Sequence, residues 1–126
     1  MAELKKGQKK IRKSTLTAVE NKYPRRDYEV SITLPEFTCL CPMTGYPDFA
    51  TIHVTYVPDK LLLELKSVKL YINKFRDQEV FHEEATNKIL EDLATACQPR
   101  WMEVVGDFNP RGNVKTVVRA EYKKEA

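Results

Sequence analysis

Past Pro24 the pattern of hydrophobic and polar positions changes period twice. Residues 28–34 alternate strictly: Tyr28, Val30, Ile32 and Leu34 share one face while Glu29, Ser31 and Thr33 share the other, which predicts a half-buried strand. Residues 50–57 repeat the pattern, with Ile52, Val54 and Tyr56 facing together. Between them, Glu36 to Phe49 reads as a long loop punctuated by Pro42, Gly45 and Pro47. Long loops held by a rigid hairpin are frequent sites of function. After Pro58, the residues Leu61, Leu65, Val68, Ile72 and Phe75 mark one face of a helix that starts between Asp59 and Glu64. A second helix is predicted over Glu79 to Cys97, packing through Phe81, Ala85, Ile89, Leu93 and Ala96. Alternation then returns in residues 101–108 and 113–122, around a turn at Asn109, Pro110, Arg111, Gly112 and Asn113. The order is ββααββ, an α+β unit whose antiparallel sheet carries two helices on one face. Free sheet edges lead us to expect assembly with further copies of the chain.

Composition narrows the picture. With 126 residues, 42% hydrophobic and 31% charged, the chain suits one domain with a modest core, which excludes a two-domain dehydrogenase. No run approaches the roughly 18 apolar residues of a membrane helix, and the leader MAELKKGQKKIRK lacks the apolar stretch of a secretory signal. Three cysteines leave one over after any pairing, so a reducing, cytoplasmic setting is expected. The net charge of +3 is uneven: residues 1–26 hold nine Lys and Arg against two Glu (+7), and residues 27–126 hold twelve against sixteen acidic groups (−4). The expected division is therefore a basic, solvated N-terminal arm over 1–26 and a single catalytic domain over 27–126. Nothing beside the arm resembles a nucleic-acid recognition motif, and no direct nucleic-acid contact is expected.

Candidate chemistry concentrates between Phe37 and Phe49. Pro42 and Pro47 restrict the backbone of this stretch, which places Cys41 and Asp48 on a stiff segment able to present a thiol and a carboxyl to one small cavity. Such a pair suits covalent catalysis, in which a thiolate attacks an electrophile and an acid handles the proton. The alternative is that Cys39 and Cys41 are small core hydrophobes at a strand end. Cys-x-Cys is a poor zinc spacing, and neither His53 nor His82 joins it, so no metal is expected. His82, Glu83 and Glu84 lie near a helix start. There a carboxylate either stabilises the helix dipole or receives the paired N–H donors of a guanine-like edge. Glu64, within the apolar run Leu61 to Leu65, is either exposed at a helix start or held for a ligand. Lys66, Ser67, Lys69 and Arg76 share a region that is either a solvated helix face or a phosphate contact. No Gly-x-Gly-x-x-Gly turn or Walker loop is present.

Glu64-Leu65-Lys66-Ser67-Val68-Lys69-Leu70-Tyr71 resembles the signature of QueF-type nitrile reductases, the NADPH-dependent 7-cyano-7-deazaguanine reductases of queuosine biosynthesis. Three further segments agree in order: Cys41-Pro42 with Thr44-Gly45 and Pro47-Asp48-Phe49, then Phe81-His82-Glu83, then Phe108 with Pro110-Arg111-Gly112. The resemblance runs from about Tyr28 to Val118. It implies a tunnelling fold whose sheets join into an oligomeric barrel of two stacked rings, with active sites between subunits. It implies Cys41 as the nucleophile that forms a thioimide and Asp48 as the proton donor. Leu63, Glu64, Leu65, His82 and Glu83 fall in the substrate-binding segments, and Lys66, Ser67 and Lys69 in the NADPH-associated part. The implied product is 7-aminomethyl-7-deazaguanine, a precursor in tRNA modification. Cys39, Tyr46 and Asn113 depart from the family's usual residues. Two rivals remain: a QueF-like amidinotransferase acting on deazaguanine in tRNA without a hydride step, and a non-catalytic purine- or pterin-binding module.

Overall fold

A computed structural model describes residues 3–125. The elements in order are α1 (Lys6–Lys13), β1 (Ala18–Glu20), β2 (Val30–Leu40), β3 (Pro47–Val57), β4 (Leu61–Leu63), α2 (Leu65–Ile72) running into a 3-10 turn (Asn73–Asp77), α3 (His82–Cys97), β5 (Trp101–Phe108) and β6 (Val117–Lys123). The main sheet is antiparallel in the order β2-β3-β5-β6, and β1 pairs with β4 in a second, two-stranded sheet. The ββααββ unit is thus present, with additions before and within it.

The alternation dictates which face is covered. Ile52, Val54 and Tyr56 of β3 and Met102, Val104 and Phe108 of β5 point inward against Ala85, Ile89, Leu93 and Cys97 of α3, and all ten are buried. Strand β2 reaches six residues past the alternating stretch because its register shifts between Leu34 and Phe37. Leu34 pairs with Ile52 but Phe37 pairs with Ala50, so one extra residue flips the side-chain parity. Pro35, which has no N–H to give, sits in this irregularity on an edge strand. Before it the inward positions are even-numbered; after it Phe37 and Cys39 turn inward and are buried. This change of parity hid the strand in the sequence and shortens the expected loop of Glu36 to Phe49 to residues 41–46.

Three other boundaries move for local reasons. Leu61 belongs to β4 and not to the first helix, because Leu61–Leu63 pairs with Glu20, Val19 and Ala18, and the Tyr56 hydroxyl accepts the Leu63 N–H at 3.1 Å. Helix α2 starts after Glu64, whose carboxylate accepts the backbone N–H groups of Lys66 (2.6 Å) and Ser67 (2.9 Å) as an N-cap. Strand β6 begins at Val117, since Arg111 and Val114 close a tight turn with Gly112 at φ 58° and Asn113 at φ 71°. Asn tolerates this left-handed region better than most side chains, so it serves where the family resemblance implied Gly. The basic leader, expected as an arm, carries α1 and β1. Asn21 is buried after β1, donating to the Asp59 carbonyl at 2.7 Å and accepting from the Tyr28 hydroxyl at 2.6 Å.

Gly106 lies on the inward row of β5. A Cβ there would sit 2.4 Å from Thr86 Oγ1 and 2.8 Å from the Phe108 ring, so glycine is what lets the first turns of α3 approach the sheet. Thr86 is fully buried and its hydroxyl donates to the His82 carbonyl at 2.9 Å. Gly106→Ala is expected to lower stability by about 1–3 kcal/mol through overpacking, measured as a lower urea midpoint. An unchanged midpoint would show that α3 is free to shift.

Candidate active site

Asp48 continues the inward row of β3 beyond Ala50, so the alternation that builds the core also buries a carboxylate at its end, where it is 6% exposed. It lies directly opposite Cys39 in the β2–β3 register. Burial of a charge requires partners, and two come from distant elements. His82, the first residue of α3, brings Nε2 within 3.1 Å of Asp48 Oδ2, and the Arg111 guanidinium donates to Oδ1. A carboxylate oxygen accepts, so His82 Nε2 carries a hydrogen, and in the neutral ring Nδ1 accepts from the Thr116 hydroxyl at 2.6 Å. The imidazole stacks on Phe108 with ring centroids 3.8 Å apart and planes 5° from parallel. Three contacts therefore fix its orientation.

Cys41 follows the last residue of β2. Its N–H donates to the Tyr46 carbonyl and its carbonyl accepts from the Gly45 N–H, both at 2.8 Å, and Gly45 takes φ 73°. The six-residue turn places the Thr44 hydroxyl and the backbone amides of Thr44 and Met43 on the side of the thiol, where they favour its anion. These groups hold the Cys41 thiol below its ordinary pKa, with a smaller contribution from the positive charge of Arg111. The other two thiols behave oppositely. Burial pushes Cys39 up to about 11 and Cys97 up to about 12. The Cys39 sulfur faces the Val80 carbonyl at 3.9 Å, as a core thiol. Of the two readings open for this pair, Cys39 fits the core residue and Cys41 the activated one.

Cys41, Asp48, His82, Glu83 and Arg111, with Thr116, line one pocket of about 240 Å³. A larger cleft of about 570 Å³ lies between α1 and the 3-10 turn, lined by Ile11, Arg12, Lys74 and Asp77 among others. It is lined by no Cys, Ser, Thr or His, whereas the smaller pocket carries a thiol, an imidazole and two carboxylates. Leu63, Glu64, Leu65, Lys66, Ser67 and Lys69 do not line that pocket within the single chain. Lys66 and Lys69 are exposed, whereas Ser67 is buried, accepting the Thr17 N–H at 3.1 Å and donating to the Glu64 carbonyl at 2.7 Å. Among the described residues, no group of three or more His, Cys, Asp or Glu is arranged to hold a metal ion. No helix there is long and apolar enough to cross a membrane. The roles of Arg111, Thr44, Thr116 and Phe108 were not visible in the sequence. Thr44, Phe108 and Arg111 stand there only as members of segments that resemble the family, and Thr116 carries no signal.

Fold and site together define an α+β protein with a lowered thiol and a paired carboxylate on one pocket, a constellation suited to nucleophilic catalysis. The QueF-like protein family profile matches residues 47–126. The NADPH-dependent 7-cyano-7-deazaguanine reductase of Microcystis aeruginosa is 57% identical over 123 residues, covering 98% of this chain and 94% of its own. The reductase of the same name from Aquifex aeolicus is 58% identical over 117 residues, covering 93% and 91%. Among solved structures, the archaeosine synthase QueF-Like in its apo form superposes with a TM-score of 0.71 at 23% identity, over 78% of this chain and 96% of that one. The chain belongs to the QueF family.

The lowered thiol has a direct consequence. In folded protein free of ligand, iodoacetamide is expected to modify Cys41 with a pH midpoint below the ordinary thiol value of about 8.5, because the thiolate is the nucleophile. Cys39 and Cys97 are expected to react only after unfolding. Site-resolved mass spectrometry checks this; modification of Cys39 before Cys41 would reverse the assignment.

Proposed function

We propose that the protein reduces the nitrile of 7-cyano-7-deazaguanine to the primary amine 7-aminomethyl-7-deazaguanine with NADPH, in the supply of queuosine for tRNA. The observation that carries this reading is the convergence of Cys41, Asp48, His82 and Glu83 on one pocket, in a chain more than half identical to reductases of that name. Cys41 is the nucleophile. Asp48 first takes a proton from solvent; the Cys41 sulfur bonds to the nitrile carbon, one C≡N π bond opens, and the nitrogen takes that proton from Asp48 to give a thioimide. Bound NADPH supplies hydride to that carbon, two equivalents for each nitrile. Asp48, reloaded with a proton from solvent, gives that proton to nitrogen at the first reduction, and the nitrogen lone pair then expels the Cys41 thiolate as a C=N bond re-forms for the second. Two hydrides and two protons thus account for the amine, and the thiolate is returned. Glu83, exposed on the pocket rim at the start of α3, is placed to accept the paired N–H donors of the deazaguanine ring while His82 holds Asp48.

The remaining site residues belong, in this reading, to a neighbouring copy. Strands β2 and β6 are the two edges of the main sheet. Joining them between copies, as in a tunnelling-fold barrel of stacked rings, would bring Leu63, Glu64 and Leu65 of one subunit to the Cys41 pocket of the next as substrate contacts. The exposed Lys66 and Lys69 suit the phosphates of NADPH as point charges. Ser67 supports them from beneath, since its buried hydroxyl already holds the start of α2 to Thr17, the residue before β1. In this assembly residues 27–126 form the catalytic unit in the cytoplasm, with the leader laid against it.

NADPH oxidation by reduced, assembled protein is expected to depend on added 7-cyano-7-deazaguanine and to consume two cofactors per nitrile. Cys41→Ala is expected to abolish turnover, and Asp48→Asn to lower kcat by about 100-fold or more, the scale of a lost general acid. Absence of nitrile-dependent oxidation would refute the reading, and amidine formation without oxidation would favour the amidinotransferase.

A further inference from the structure

We propose that Arg111 is a positioning residue that sets up the nucleophile–acid pair, by donating from one guanidinium nitrogen to Asp48 and from the other to the Thr44 hydroxyl of the turn that carries Cys41. This rests on the reading of Cys41 and Asp48 given above and goes beyond it, because it assigns who orients them. Arg111 Nη1 donates to Asp48 Oδ1, and Nη2 donates to Thr44 Oγ1 at 3.0 Å. A guanidinium has only hydrogens to offer. The Thr44 oxygen must therefore accept from Arg111, and it also accepts the Tyr46 N–H at 3.2 Å, so its single hydrogen is left to serve the Cys41 thiol in the same turn, whose anion that hydroxyl favours. One planar fork thus fixes the hydroxyl rotor beside the thiolate and the oxygen of the acid that follows it in the reaction.

The backbone is built to hold this fork still. Arg111 and Val114 exchange N–H···O bonds of 3.0 and 3.1 Å across Gly112 and Asn113, both at positive φ, the signature of a tight two-residue turn. The Asn109 N–H donates to the Phe49 carbonyl at 2.8 Å, which ties the same segment to the residue after Asp48. The charged and titratable groups that share the pocket with the Cys41 sulfur are Arg111 and Asp48 and, from α3, His82 and Glu83.

The test compares the wild type with Arg111→Gln and Arg111→Lys in the full chain, first as Cys41 alkylation against pH with no nitrile and no cofactor, then as nitrile reduction. Arg111→Gln is expected to raise the alkylation midpoint by about one pH unit, a fall of about ten-fold in rate at neutral pH, since the hydroxyl rotor and the positive charge are both lost. Arg111→Lys keeps the charge and loses the fork, so it is expected to recover part of the shift in midpoint while kcat remains low. Arg111 is more than a third exposed, so both variants are expected to fold. If only Arg111→Lys does, wild-type values for both its midpoint and its kcat would overturn the proposal. A role confined to holding the cofactor's phosphates would raise the KM for NADPH and leave the alkylation midpoint at the wild-type value; that result too overturns it. Failure of the wild type to reduce the nitrile would sink the functional reading instead, so the two failures are distinguishable.

Discussion

A carboxylate cannot be buried alone, and Asp48 is nearly buried. Strand β3 continues its inward row one step past the last apolar residue, and that step obliges two cations or donors to come to it. One is carried by the first residue of α3 and the other by the turn between β5 and β6. The requirement ties together three parts of the chain separated by as many as 63 residues. It also explains why α3 must approach the sheet so closely. Gly106 removes the side chain that would block it, and the His82 ring settles flat on Phe108. The packing of the core and the geometry of the site are one problem with one solution.

Cys41, the proposed nucleophile, depends on the same strand pair from the other side. The irregularity at Pro35 turns the end of β2 inward, which buries Cys39 opposite Asp48 and delivers Cys41 to the pocket two residues later. The two thiols are close in sequence and opposite in chemistry. Cys39 has lost water and gained no donor, so its proton is held tightly; Cys41 sits in a turn whose amides and Thr44 hydroxyl stabilise the anion. A thiolate lowered by hydrogen bonds and not by deep burial keeps access for a substrate, which is what addition to a nitrile carbon demands.

The central fold was legible wherever the periods were clean. The alternation of 28–34, 50–57 and 101–108 and the helical spacing from Ile89 to Leu93 gave the right elements, and the two residues singled out between Phe37 and Phe49, Cys41 and Asp48, do line one pocket. Period failed where a local exception intervened. The β2 bulge reversed the parity of Phe37 and Cys39, so a strand read as a loop. The unbroken run Leu61–Leu63 offered no alternation, and its identity as β4 depends on β1, a partner in a leader whose charge concealed its role. Arg111 could not be matched to Asp48, because an ion pair between a strand end and a remote turn leaves no mark in spacing. Glu64 and Ser67 show a further limit: capping a helix and holding a ligand ask for the same residue types, and their contacts within one chain are the capping ones.

The central claim is that the Cys41 sulfur, its pKa lowered by its own turn, bonds to the carbon of a nitrile. Intact-mass spectrometry of the reduced protein mixed with 7-cyano-7-deazaguanine, with no NADPH present, tests it most directly. The account predicts a gain of one nitrile molecule per chain in the wild type and in Cys39→Ala, and none in Cys41→Ala. An adduct that survives Cys41→Ala, or a wild type that binds the nitrile and gains no mass, would contradict it.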